Sequence, residues 1–310
     1  MITIYRSREG VLETVPDIVS GCWINVIDPT SDEIERLVCE GIPQDFLTYP
    51  LDLDERSRTE REDDGKMLIL LRIPYFQSQM VDVPYITIPL GIILTDQFIV
   101  TVCRYPNEVI NEFTSGRVRH LSTAKRIRFV LRILLSTANL YLVYLREINR
   151  TVEAVEDQLQ LSMQNREVME LLKYQKSLVY FTTALKSNEL LLERLQRAQL
   201  FRMYPDDEDL LEDVITENQQ AIEMANISSS ILTSMMDAFA SIISNNLNVV
   251  MKFLTSVTIL LNLPVIVTGF YGMNVDLPLQ EYAFAWQIIL VICVGLIAIT
   301  AIYFTRRRWF

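Results

Sequence analysis

The string FLTSVTILLNLPVIVTGFYGMN, Phe253 to Asn274, opens with 19 residues free of charge, Phe253 to Tyr271. As a helix rising about 1.5 Å per residue, such a run is about 28 Å long, close to the hydrocarbon thickness of a bilayer. A second uncharged run of 19 residues, Trp286 to Phe304, follows a short loop. Backbone in lipid must satisfy its own hydrogen bonds, so both runs are expected to be helices. The competing reading is a buried core helix. Two such runs one loop apart, with aromatic and basic flanks, argue against it.

Charge orients the pair. Lys252 precedes the first span and Arg306, Arg307 and Arg308 follow the second, whereas the loop from Val275 to Ala285 has Asp276 and Glu281 but no Lys or Arg. The positive-inside rule then places both termini in the cytosol and the loop outside. Trp286, Tyr303 and Trp309 stand where interfacial aromatics are expected.

The first span is not uniformly apolar. Asn248, Met251, Thr255, Thr258, Asn262, Val265 and Gly269 are spaced 3, 4, 3, 4, 3 and 4, so they share one helix face. Apart from Ser256 and Thr268, that face holds every strongly polar residue of the segment. Amides and hydroxyls at the bilayer centre are costly unless they meet protein or water. The spacing fits a helix–helix contact through small and polar residues as well as a pore lining. A two-span subunit encloses no aqueous path alone, so a pore needs several copies, with the second span outermost. Pro264 deprives one backbone carbonyl of its helical partner.

Upstream, apolar residues recur at three and four positions from about Leu121 to Leu200 with no Gly or Pro. Ile127, Val130, Leu131, Leu134 and Leu135 make one stripe; Leu171, Leu172, Leu178 and Leu185 belong to another. Tyr204-Pro205-Asp206-Asp207-Glu208-Asp209 reads as a break and a fresh helix start, with acids complementing the helix dipole. One helix of about 65 residues, about 100 Å long, is expected from there into the membrane. That length implies a stalk.

Residues 1–120 differ. Ile2–Tyr5, Cys22–Ile27, Met67–Ile73, Tyr85–Leu94 and Phe98–Cys103 are β-branched, apolar runs of strand length. Ser31 to Glu40 and Pro106 to Phe113 have helical character. The mixed-sign cluster from Asp52 to Asp64 reads as a solvated loop and surface helix face. The expected fold is an α/β cytosolic N-terminal domain (1–120), a helical hairpin region (121–204) and a long helical stalk (205–252). Two transmembrane helices (253–271 and 286–304), an external loop (272–285) and a basic tail (305–310) complete a mainly α membrane protein.

Composition narrows the function. A net charge of −11 over 310 residues argues against a nucleic-acid partner, which needs a basic face. Cys22, Cys39, Cys103 and Cys293 form no Cys-x-x-Cys pair and read as reduced, small apolar fillers. His120 is the single histidine, and no phosphate loop, nucleophile or base stands out, so no enzyme is expected. The N-terminus has no apolar core of signal-peptide length, which leaves the soluble part in the cytosol.

Gly269-Phe270 leads into Tyr271-Gly272-Met273-Asn274 at the outer end of the first span. In that position the sequence resembles the signature of CorA-type magnesium channels. The resemblance runs upstream through Asn248, Met251-Lys252, Leu254-Thr255 and the mid-span proline, and downstream to Arg306-Arg307-Arg308-Trp309-Phe310. It implies a homopentamer in the plasma membrane, importing Mg2+ through a pore lined by the first spans. Gly272, Met273 and Asn274 would form the selectivity filter, with a ring of Asn274 amide oxygens. Mg2+ sheds water reluctantly, so such oxygens can accept the hydrated ion through its waters. Asp276 and Glu281 would concentrate cations outside.

Where many family members place methionine at the mid-membrane constriction, this sequence has Asn262, and its proline falls one residue off. Closure is then expected to depend more on Met251 and Leu254. The resemblance also implies regulation by intracellular Mg2+. Asp213 matches the stalk-helix sensor position, while Tyr49 stands where its N-domain partner is usually an aspartate. Asp45, Asp52 and Asp54 are the nearby substitutes, and a surface helix acid is the plain alternative for Asp213. A related carrier for Zn2+, Co2+ or Ni2+, and a membrane-anchored sensor that transports nothing, are the competing functions.

Overall fold

The computed structural model describes residues 1–8, 10–118, 121–162, 165–197, 205–275, 277–278 and 284–307. The chain divides into two compact units, Met1–Ser234 and Met235–Phe310.

The first unit is built on a seven-stranded sheet of β1 (Ile2–Arg8), β2 (Val11–Thr14), β3 (Trp23–Ile27), β4 (Arg58–Arg61), β5 (Met67–Phe76), β6 (Tyr85–Leu94) and β7 (Ile99–Cys103). The order is β2-β1-β3-β7-β6-β5-β4. Only β3 and β7 pair in parallel. Strand side chains alternate between faces, and both faces here are covered. Met67, Ile69, Leu71 and Ile73 of β5 join a core with α3 (Glu108–Thr114), α4 (Arg126–Ser162), α5 (Asn165–Arg197) and the start of α6 (Pro205–Tyr271). Leu68, Ile24, Val100 and Val102 belong to a second core with α1 (Ser31–Cys39) and α2 (Gln44–Thr48). Continuous apolar runs such as β6 and β7 follow from that double burial.

Local chemistry sets several boundaries. Thr30 caps α1 through a reciprocal box with Glu33. The Asn107 side chain accepts from the Ile110 N–H at 3.0 Å, so α3 begins at Glu108, two residues after the expected Pro106. Gly91 in β6 lies under the 3-10 turn at Tyr49–Leu51. A Cβ there would sit 2.2 Å from Cγ of Pro50.

Most polar groups inside this unit are paired; Arg132 Nε, Glu167 Oε2 and Ser228 Oγ are buried without a hydrogen-bond partner. The Trp23 indole donates to Thr101 Oγ1 at 2.9 Å, and that hydroxyl donates to Asn25 Oδ1 at 3.0 Å. Arg72 in β5 donates to the carbonyls of Leu53, Glu55 and Thr87. Burial pulls its pKa down while leaving it charged. Asn188 of α5 accepts from the Arg72 N–H at 3.1 Å, donates to the Arg72 carbonyl at 2.8 Å, and accepts from Ser57 Oγ at 2.6 Å.

Three expectations are corrected. The charged cluster from Asp52 to Asp64 is loop, as expected, but carries a strand instead of a helix: Arg58–Arg61 is an edge strand, held by pairing with β5 and by ion pairs from Arg58 to Glu55 and Glu60. Strand β2 and helix α2 were not foreseen. Cys22, Cys103 and Cys293 are buried, but Cys39 is exposed at the end of α1 and fills no core. His120 and Tyr204 lie outside the described residues.

Candidate ion pathway

The second unit contains the later part of α6 and all of α7 (Ala285–Arg306). Helix α6 runs unbroken for 67 residues with Pro264 inside it. Both helices are long and apolar enough to cross a membrane, by length and composition. So is α4, but 56% of its apolar window is buried, against 6% for α6 and 11% for α7. Its apolar face is already spent on the sheet.

Within this unit each helix shields one face. Ser256 is fully buried, and Val257, Leu260, Leu263, Pro264, Val267 and Tyr271 are partly covered. On α7 the buried residues are Cys293 and Phe304. A cavity of about 430 Å3 lies between Pro264, Thr268 and Tyr271 on one side and Trp286, Ile289 and Cys293 on the other. Ser256 and Thr268, the two polar residues off the periodic stripe, are thereby accounted for. Their hydroxyls donate to the carbonyls of Lys252 and Pro264 at 2.8 and 2.9 Å.

The stripe itself is on the opposite side. Asn248, Met251, Leu254, Thr255, Thr258, Asn262, Val265 and Gly269 are all exposed. None is sealed against α7. The Thr258 hydroxyl donates to the Leu254 carbonyl at 2.8 Å, so its outward capacity is that of an acceptor. No Cβ contact would crowd Gly269.

Helix α6 ends in a tight turn. The Gly272 N–H donates to the Thr268 carbonyl at 2.9 Å and the Met273 N–H to the Phe270 carbonyl at 3.3 Å. A Cβ on Gly272 would lie 3.3 Å from the Thr268 oxygen, which favours glycine there. The Tyr271 hydroxyl reaches the Pro278 carbonyl at 3.4 Å, tying the following loop back to the helix end. Gly272, Met273 and Asn274 are exposed. Asp276 and Glu281 lie outside the described residues, as do Arg308, Trp309 and Phe310.

The carboxylates expected to sense metal are in the first unit. Asp213 is exposed on α6, one position before buried Val214. Asp45 is exposed on α2; Asp52 and Asp54 are exposed just beyond the 3-10 turn, where Asp52 Oδ1 accepts from the Asp54 N–H at 3.0 Å. Among the described residues of one chain, no group of three His, Cys, Asp or Glu side chains is placed to hold a metal ion. Asp213 is therefore not joined to those acids in a three-ligand site within the chain. The backbone between Asp52 and Ser57 is nevertheless fixed, by Arg72 at the Leu53 and Glu55 carbonyls and by Ser187 Oγ, which accepts from the Ser57 N–H.

The 3, 4 spacing also continues below Asn248 through Ser244, Ser241 and Asp237, all exposed. Sequence reasoning stopped at Asn248 because polar residues are ordinary on a helix outside lipid. Counting the period onward was the signal that would have found them.

A family model described as CorA-like Mg2+ transporter protein matches residues 20–307. The cobalt/magnesium transport protein CorA of Methanocaldococcus jannaschii is 31% identical over 299 residues, covering 93% of this chain and 90% of the relative. The protein of the same name from Thermotoga maritima is 23% identical over 311 residues, covering 93% and 83%. Among solved structures, the complete CorA magnesium transporter of Methanocaldococcus jannaschii superposes with a TM-score of 0.88 at 26% identity, covering 100% of this chain and 99% of that one. That match spans sheet domain, long helix and C-terminal apolar helices together. The chain belongs to the CorA-like Mg2+ transporter family, membrane proteins that move divalent cations and are not enzymes.

Proposed function

We propose that five copies of this chain surround a pore in the plasma membrane and import Mg2+. The second half of α6 lines the pore, α7 forms an outer ring against lipid, and both termini are cytosolic. One observation carries the reading: a row of neutral polar side chains, exposed along the α6 face turned away from α7, within a helix apolar enough to cross a membrane. Lipid cannot solvate that row, whereas water on the axis of a ring can. Gly272, Met273 and Asn274 form the outer filter, where amide oxygens accept the waters of a hydrated cation. Asp276 and Glu281 draw cations to it from outside. Asp237, lower on the same stripe, brings one carboxylate per subunit to the cytosolic end. The membrane potential supplies the drive, about 2.3 kcal/mol per charge per 100 mV and so about 4.6 for a divalent ion.

Intracellular Mg2+ closes the pore by bridging Asp213 of one subunit to Asp45, Asp52 or Asp54 of the next. The single chain leaves these acids exposed and unassembled, which suits a site completed between copies. Bound metal relieves carboxylate repulsion and favours the tight, closed assembly. Met251 and Leu254 supply the apolar closure near the cytosolic end of the span.

The test is influx into liposomes loaded with a Mg2+-sensitive dye under an inside-negative potential. Asn274→Ala is expected to cut initial Mg2+ influx at least about tenfold, the loss of one charge-assisted contact. Wild-type influx in that variant overturns the filter assignment. Parallel runs with Co2+, Ni2+ and Zn2+ rank the cations, and the relatives' names lead us to expect Mg2+ and Co2+ first. Absence of transport for every cation would leave the anchored sensor.

A further inference from the structure

Asn262 is the midpoint of the uncharged run from Phe253 to Tyr271. Its side chain is exposed and has no hydrogen-bond partner among the described residues. At the centre of a bilayer an unpaired amide is among the costlier neutral groups, so this one must be met by water, by an ion or by another copy. Its surroundings on the helix are biased toward acceptance. One turn below, the Thr258 proton is committed to the Leu254 carbonyl, leaving oxygen lone pairs outward. Two acceptor oxygens thus lie about one turn apart on the exposed face of α6, with no side-chain cation on the span to answer them.

We infer that Asn262 forms a second amide ring at the bilayer centre, a site for hydrated divalent cations about 14 Å below the end of α6 at the 1.5 Å rise of a helix. It rests on the pore reading above and adds a specificity-determining residue to it. The ring takes a cation by its water shell: the waters donate to the Asn262 oxygens and are not stripped. Neutral amides hold the ion loosely enough to release it, which conduction requires. Thr258 continues the acceptor surface one turn inward.

Full-length protein in dye-loaded liposomes tests this with Asn262→Leu, which keeps the side chain's size and removes its polarity. Mg2+ influx is expected to fall about tenfold or more, with the oligomer unchanged by light scattering. Asn262→Cys, compared with Leu261→Cys and the parent, provides a second readout. A membrane-impermeant thiol reagent should label Asn262→Cys, and millimolar Mg2+ should slow that labelling; Leu261→Cys, one residue round the helix, should not react above the parent. Wild-type influx in Asn262→Leu, or labelling of Asn262→Cys that Mg2+ does not slow, overturns the inference. Failure of the pore reading looks different: the wild type itself then carries no divalent cation. An intact Asn274 effect with no Asn262 effect removes the second ring alone.

Discussion

Helices α4 and α6 have similar claims on a membrane by composition, and opposite fates. In α4 the apolar face is buried against a sheet whose own polar groups are all but closed off by Arg72, Asn188, Thr101 and Trp23. In the second half of α6 both apolar and polar residues stand open: Leu261 is 66% exposed and Ile266 67% exposed, beside an unpartnered Asn262. The first unit completes its core within one chain. On the proposed reading the second meets a different solvent on each side, lipid for the leucines and water for the amides, and becomes saturated only when both are supplied. Hydropathy alone does not separate these helices; what the rest of the chain does with their faces separates them.

The contrast is broken most severely by crowding the finished unit. Gly91→Val places a side chain where Pro50 already sits, with the added Cβ 2.2 Å from its Cγ. The ring is held by the turn, so relief requires backbone movement. We expect a loss of about 3–4 kcal/mol, read as a large drop in the thermal midpoint of the full-length protein in detergent. A midpoint within two degrees of wild type would mean the turn is not packed on β6 as described.

The unfinished unit is probed by exchanging its two solvents. Val294, near the centre of α7, is exposed at 56% and is read as lipid-facing. Val294→Arg should cost about 3 kcal/mol of membrane insertion. By comparison, Thr258→Ser on the polar stripe should insert as wild type does. Glycosylation-based insertion assays measure both. Equal insertion of the arginine variant would place Val294 against water or protein and undo the outer-ring assignment of α7.

How much of this was legible in the sequence depends on the range of the forces. Helix α6 announced both ends, because Pro205 and Gly272 punctuate it locally. Strands β5, β6 and β7 were legible because burial on both faces leaves a continuous apolar run. Strand β4 was not: Arg58-Thr59-Glu60-Arg61 has no apolar alternation, and it is a strand only because β5 offers an edge and Glu55 and Glu60 neutralise Arg58. The polar stripe of α6 was visible from its period, but its orientation away from α7 was not, since spacing fixes a face and not what the face meets. The network through Asn188 joins residues 116 and 131 apart in the chain, beyond any local pattern.

The smallest expected effect tests how dry the finished unit is. Cys103, at the end of β7, is 2% exposed, its thiol contacts the Pro89 carbonyl at 3.4 Å, and burial pushes its pKa up to about 11. An ordinary thiol ionises near pH 8.5. Below that pH both folded and unfolded chains keep the proton, and the thiol adds no pH dependence. Between roughly pH 9 and 11 the unfolded chain loses the proton while the folded chain retains it, so stability falls as pH rises, by at most about 1.4 kcal/mol per unit. Cys103→Ala removes that slope at the cost of a small cavity, about 1 kcal/mol at neutral pH. Burial raises Tyr85, Tyr141 and Tyr144 as well, but those groups are common to both proteins and cancel in the difference. The stability gap between variant and wild type should therefore close, then reverse, as denaturation is followed from pH 7 to pH 10.5. A gap constant across that range would mean that water reaches the strand end, and that the first unit is less sealed from solvent than its paired polar groups imply.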